Sequence, residues 1–110
     1  MTSPPAQRRL DPAYDRLVAQ YVESLPSKLA ALELAMTSGR AGDAAALAEA
    51  REIAHRMRGT AGCYGFRDLS EAAAVLEEVL RRLSQGVGGT CTEADSAALL
   101  VRVVATGPDP

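Results

Sequence analysis

The stretch Leu47-Ala-Glu-Ala50-Arg-Glu-Ile-Ala54-His55-Arg-Met57-Arg-Gly-Thr-Ala61-Gly-Cys-Tyr64 decides the fold class. Leu47, Ala50, Ala54, Met57, Ala61 and Tyr64 recur in steps of three, four, three, four and three. That spacing places them on one face of an α-helix, and Ile53 widens the stripe. A half-buried strand would alternate in steps of two instead. Gly42-Asp43 just upstream opens this helix.

The same period extends in both directions. Upstream, Asp11-Pro12 reads as a helix start, because Asp can cap free backbone N–H groups and proline suits the first helical position. Tyr14, Leu17, Val18, Tyr21, Val22 and Leu25 follow at helical spacing. Pro26 lacks an N–H and clashes with the preceding turn, so it is expected to kink or break this helix. Leu29, Leu32, Leu34 and Met36 carry the pattern on to a stop at Ser38-Gly39. Downstream, the chain turns near Phe66-Arg67, and Asp68-Leu-Ser-Glu71 fits a capping box with Asp as the cap. Leu69, Ala72, Ala73, Leu76, Val79, Leu80 and Leu83 then form a third amphipathic stripe. Gln85-Gly-Val-Gly-Gly89 reads as a loop. Thr92-Glu-Ala-Asp95 reads as another capping start, and Ala97, Leu100, Val101 and Val104 form the inner face of a fourth helix ending at Gly107-Pro108. Short loops between amphipathic helices predict an all-α, antiparallel four-helix bundle with a Pro-kinked or broken N-terminal helix. Residues 1–10 are a flexible lead, 11–106 the bundle and 107–110 a short tail.

Composition agrees. The chain has 110 residues, and 47% are hydrophobic but only 4% aromatic. Much of the hydrophobic fraction is alanine, the best helix former. One domain is the expectation at this length. Twelve Lys and Arg against 14 Asp and Glu give a net charge of −2, unlike the basic balance of a nucleic-acid binder. A single His excludes a multi-His metal site. Glu52-Ile-Ala-His55 matches half of a di-iron motif, but no second half exists. Cys63 and Cys91 are too few for a disulfide framework and read as incidental thiols. No signal-peptide core and no run of about 18 apolar residues is present, so a soluble cytoplasmic protein is expected.

The second helix presents something more specific. His55 follows the core position Ala54 and points roughly 130° from the centre of the apolar stripe, toward solvent. Ala48, Arg51, Glu52, Arg58, Gly59 and Gly62 share its face. Gly59 and Gly62 each cost about 0.8–1 kcal/mol relative to alanine inside a helix. The stripe runs through Ala61 and does not need them, so close approach of another molecule is their physical reason. Arg58 has no carboxylate three residues on, where Ala61 stands. Gly65 ends the helix or packs on a neighbour, and Phe66 belongs either to the core or to the rim of the exposed patch.

The string His55-Arg-Met57-Arg58-Gly59-Thr60-Ala61-Gly62-Cys-Tyr-Gly65-Phe-Arg-Asp-Leu69, with Leu76-Glu77 beyond it, resembles the signature of histidine phosphotransfer (HPt) domains. In that family a His precedes an apolar residue at +2, a Lys or Arg at +3, Gly at +4, small residues at +5 and +6, Gly at +10 and an apolar residue at +14. The only departure is Arg58 where Lys is commoner, which keeps the charge and offers a planar fork. The resemblance implies a carrier that relays a phosphoryl group between aspartates of receiver domains in two-component signalling, without kinase activity of its own. His55 would be the phospho-acceptor, since a neutral imidazole nitrogen is a nucleophile. Arg58 would stabilise the phosphoryl group, with Arg51 as second candidate. Ala48, Arg51, Glu52, Gly59 and Gly62 would form the docking patch. The implied partners are receiver domains and a hybrid histidine kinase. The receiver would supply Mg²⁺, leaving this chain without metal or cofactor, and the protein would be a monomer. The Met1 start and the lead lean toward a free-standing protein rather than a module excised from a hybrid kinase. A competing reading from another class is a module that docks and sequesters a receiver, with His55 never phosphorylated.

Overall fold

Leu32, Met57, Leu76, Leu80 and Val101 are the largest side chains withdrawn completely from water. They come from four successive helices that surround one core. The computed structural model describes residues 12–106. Within them α1 spans Pro12–Arg40, α2 Ala44–Cys63, α3 Arg67–Gln85 and α4 Cys91–Thr106, and no strand occurs among the described residues. Residues 41–43, 64–66 and 86–90 make the connections. Links this short return the chain beside the helix it has just left, so sequential helices run antiparallel. Helix α2 packs on α1 and α3, and α4 packs on α3. A thinner contact between α1 and α4 closes the ring, crossed at the surface by the ion pairs Arg40–Asp95 and Arg102–Glu33.

Alanine is what allows the helices of this bundle to approach closely. Ala50, Ala54, Ala61 and Ala73 have no exposed surface at all. The few aromatic side chains collect at one end of the bundle. Tyr21 lies 5.2 Å from Tyr64 and 5.8 Å from Phe66 between ring centroids, and Tyr14 lies 6.2 Å from Tyr64. Tilted rings at such distances add to the area they bury. Phe66 thus belongs to the core side. Burial pushes the Tyr21 hydroxyl above its ordinary pKa; the Thr60 hydroxyl opposes this shift, and Tyr64 adds to it.

Several local expectations are corrected. Of the two alternatives at Pro26 the break does not occur: α1 runs from Pro12 to Arg40, past the expected stop at Ser38-Gly39. Proline removes one hydrogen bond on an exposed face, and Leu29, Leu32, Ala35 and Met36 beyond it are all buried. Burial of that half offsets a penalty of about 3 kcal/mol. Leu34 is not an inner residue: it is 71% exposed, and Ala35 takes its place in the core. Leu17, Val22 and Leu100 are exposed as well. The expected cap at Asp11 and the stop at Gly107-Pro108 lie outside the described residues.

The helix starts divide similarly. Helix α2 opens after Gly42-Asp43 as expected, and Asp43 caps it, accepting from the Ala46 N–H at 3.1 Å. Asp43→Ala should lower stability by about 1 kcal/mol. For a domain this size a thermal melt would read that as a fall of about 4–8 °C. The box at Asp68–Glu71 does not form. Helix α3 begins earlier, at Arg67, with Phe66 as its cap and no side-chain cap bond. The Phe66 ring is held by Tyr21 and fixes the entry of the chain, while Glu71 pairs with Arg67. In α4 the box is shifted two residues: the Glu93 N–H donates to Thr90 Oγ1, and the Thr90 N–H to Glu93 Oε1, each at 3.0 Å. Glu93 reaches back one methylene further than an Asp could, and Asp95 is occupied by Arg40.

Candidate functional site

The site lies in the outer groove between α2 and α3. Antiparallel packing sets its register, because residues facing each other across the groove keep a constant sum of numbers. Gly62 faces Ser70, whose Oγ would lie 3.4 Å from an added Cβ, and His55 faces Glu77. The same register sets Arg51 level with Arg81. The Ser70 hydroxyl donates to the Arg58 carbonyl at 2.9 Å, tying the start of α3 to α2. Gly65 ends α2 at φ +82°, a conformation that L side chains rarely adopt, and a Cβ added there would meet nothing within 4 Å.

His55 is exposed, as its place outside the stripe requires, with 55% of its side chain open to solvent. Its Nδ1 lies 2.8 Å from Oε2 of Glu77. Glu77 is only 17% exposed, and its other oxygen sits 3.1 Å from Nη1 of Arg58. One half-buried carboxylate therefore stands between the imidazole, to which it is hydrogen-bonded, and the guanidinium, with which it makes an ion pair but no hydrogen bond. Arg58 has no carboxylate three residues on in its own helix, as expected, and its acidic partner comes from α3 instead. Glu77 is also the residue that sequence reasoning passed over as a site group. The only signal for it was its place after Leu76 in the family-like string.

The ring leans toward the preceding turn, as helical side chains do. With Ala48, Arg51, Glu52 and Glu77 it lines a shallow open depression of about 380 Å³. Four of the five expected patch residues around His55 therefore meet as follows. Ala48, Arg51 and Glu52 share the depression with it, and Gly59 lies one turn beyond on the other side. The fifth, Gly62, lies next to Ser70 instead. A Cβ on Gly59 would meet nothing within 4 Å, so no intramolecular contact calls for glycine there.

Below the depression Glu78 receives hydrogen bonds from Arg81 at 2.6 and 3.0 Å, with Arg82 at 3.8 Å. The bond from Arg81 holds the Glu78 carboxyl below its usual range, and the charges of Arg81, Arg82 and Arg51 add to this against some desolvation. Arg56 pairs with Glu52 at 3.8 Å. Cys63 and Cys91 are exposed free thiols. Among the described residues no group of three His, Cys, Asp or Glu side chains could hold a metal ion, and no helix is long and apolar enough to cross a membrane.

Chemically, the arrangement fixes one tautomer. A neutral imidazole facing a carboxylate through Nδ1 keeps its hydrogen there, which leaves the lone pair on Nε2. Comparison with curated proteins and with solved structures gives no significant match. A family model described as Hpt domain does match, over residues 16–105, a span that reaches into all four helices. The chain thus belongs to the Hpt domain family, whose members serve phosphorelays as histidine phosphotransfer carriers rather than kinases.

Proposed function

We propose that His55 is the phospho-acceptor, and that this protein relays a phosphoryl group between aspartates of receiver domains. The observation that carries this reading is an exposed imidazole whose Nδ1 is tied to Glu77, so that Nε2 is the nucleophile. In the transfer the Nε2 lone pair attacks phosphorus of an aspartyl phosphate. The P–O bond breaks, the N–P bond forms, and the donor leaves as a free carboxylate. The Nδ1 hydrogen stays in place, so the ring becomes positively charged. Glu77 faces that charge at hydrogen-bond distance and stabilises it. Reversal of the same steps delivers the group to the next aspartate.

Transfer of this kind depends on positioning and charge rather than on new covalent chemistry. Arg58 is ion-paired with Glu77 through Nη1 without a hydrogen bond between them, and its N–H groups can be offered to the phosphoryl oxygens. The receiver brings its own Mg²⁺. Ala48, Gly59 and Gly62 keep the surroundings of the ring low, so that a receiver active site can close over it. The decisive experiment mixes this protein with phosphorylated receiver domains. Acid-labile, base-stable label should appear on it. A module that only docked and sequestered receivers would bind them without taking label, and that outcome would remove the carrier reading.

Clearance has its own test. Gly59→Leu should lower transfer from a phosphorylated receiver at least tenfold. Its melting temperature should hold or rise, because glycine costs about 1 kcal/mol in a helix and the new side chain meets open space. Undiminished transfer would show that the receiver does not approach over Gly59.

A further inference from the structure

We infer that Arg51, rather than serving only as part of the docking patch, is the cation that receives the phosphoryl group on the open side of His55. The inference deepens the phospho-acceptor reading and rests on it. Its basis is the charge arrangement of the α2–α3 groove. Three carboxylates line it, and each has its own guanidinium. Glu77 has Arg58 at 3.1 Å, Glu52 has Arg56 at 3.8 Å, and Glu78 has Arg81 at 2.6 Å with Arg82 behind. Arg51 has no carboxylate within 4.0 Å among the described residues, although its field reaches Glu78. Among the described residues it is the one guanidinium of the groove left without an ion pair.

Its position matches its charge. Arg51 lies one helical turn before His55, on the side toward which the ring leans, and lines the same depression. Arg58 stands on the far side of the ring with its guanidinium held at Glu77. The floor beside Arg51 is Ala48, which leaves room for a tetrahedral anion. Across the groove at the same level stands Arg81, already bonded to Glu78 and to Gln85 Oε1. A phosphoryl group on Nε2 would accept charge-assisted hydrogen bonds from Arg51 that no resident carboxylate competes for.

The test uses the full chain with phosphoramidate, a small donor that needs no docking surface, and follows label uptake and its first-order loss. Arg51→Ala should take label about tenfold more slowly than wild type and lose it several-fold faster, with an unchanged melting temperature. Arg51→Lys should keep at least half of the wild-type rate. Uptake and lifetime in Arg51→Ala within twofold of wild type would overturn the assignment while leaving His55 as acceptor. Arg51→Lys as slow as Arg51→Ala would overturn it too, because charge would then not be what matters. A wild type that takes no label, or a His55→Gln variant that takes as much, would remove the acceptor reading and this inference with it.

Discussion

His55→Gln should take no acid-labile, base-stable phosphate from any phosphorylated receiver, while folding as wild type does. It is the largest effect expected of any single substitution. The chain contains no second His, so no other imidazole can stand in. Glutamine is close in length, and its amide N–H can still donate to Glu77, which keeps that half-buried carboxylate partnered. Its amide nitrogen has no available lone pair, so the nucleophile is lost without the scaffold. The His55 side chain is more than half exposed, and its replacement removes no core contact. Uptake of label should therefore fall to background, with the thermal midpoint within a few degrees of wild type. Retained label in this variant would place the acceptor elsewhere.

Leu76→Ala should have the largest effect on stability. Leu76 is completely buried in the common core and belongs to the same turn of α3 as Glu77. Truncation removes the transfer energy of the lost methyl groups and leaves a cavity, together about 2–5 kcal/mol. In a domain of this size the melting temperature should fall by about 8–40 °C. Leu34→Ala is the matched control. The same atoms are lost from a side chain that is 71% exposed, and the change should stay within about 0.5 kcal/mol. Both can be read from thermal melts followed by circular dichroism. Equal losses in the two variants would contradict the core described above.

The contrast between Leu34 and Leu76 also shows how far periodicity carries. In α2 and α3 the apolar positions fall on one face with little ambiguity, and the structure buries most of them there, with Leu47, Tyr64 and Leu83 partly buried. In α1, steps of four and three run from Leu25 through Leu29 and Leu32 to Ala35 and Met36, all of them buried. Leu34 lies about 200° around the helix from Leu32 and belongs to the exposed face by period as well as by packing. Capping divides along the same line. Asp43 acts on an N–H three residues away, and nothing else competes for it. At Asp68 a distant contact intervenes, because the Phe66 ring is anchored on Tyr21 of another helix and brings α3 in early.

By itself the sequence determined that this chain is a bundle of amphipathic helices, that His55 lies outside the apolar stripe of α2, and which residues share its face. Those properties follow from spacings of three and four residues, which the helix converts directly into direction. Tertiary structure alone decided what His55 meets. Glu77 lies 22 residues further along the chain, and its distance to Nδ1 depends on how α3 slides against α2. Arg58 finds its carboxylate and Arg51 lacks one for the same reason. A helix's own period fixes which way a side chain points. Only the packing of two helices around a shared core fixes which side chain stands opposite.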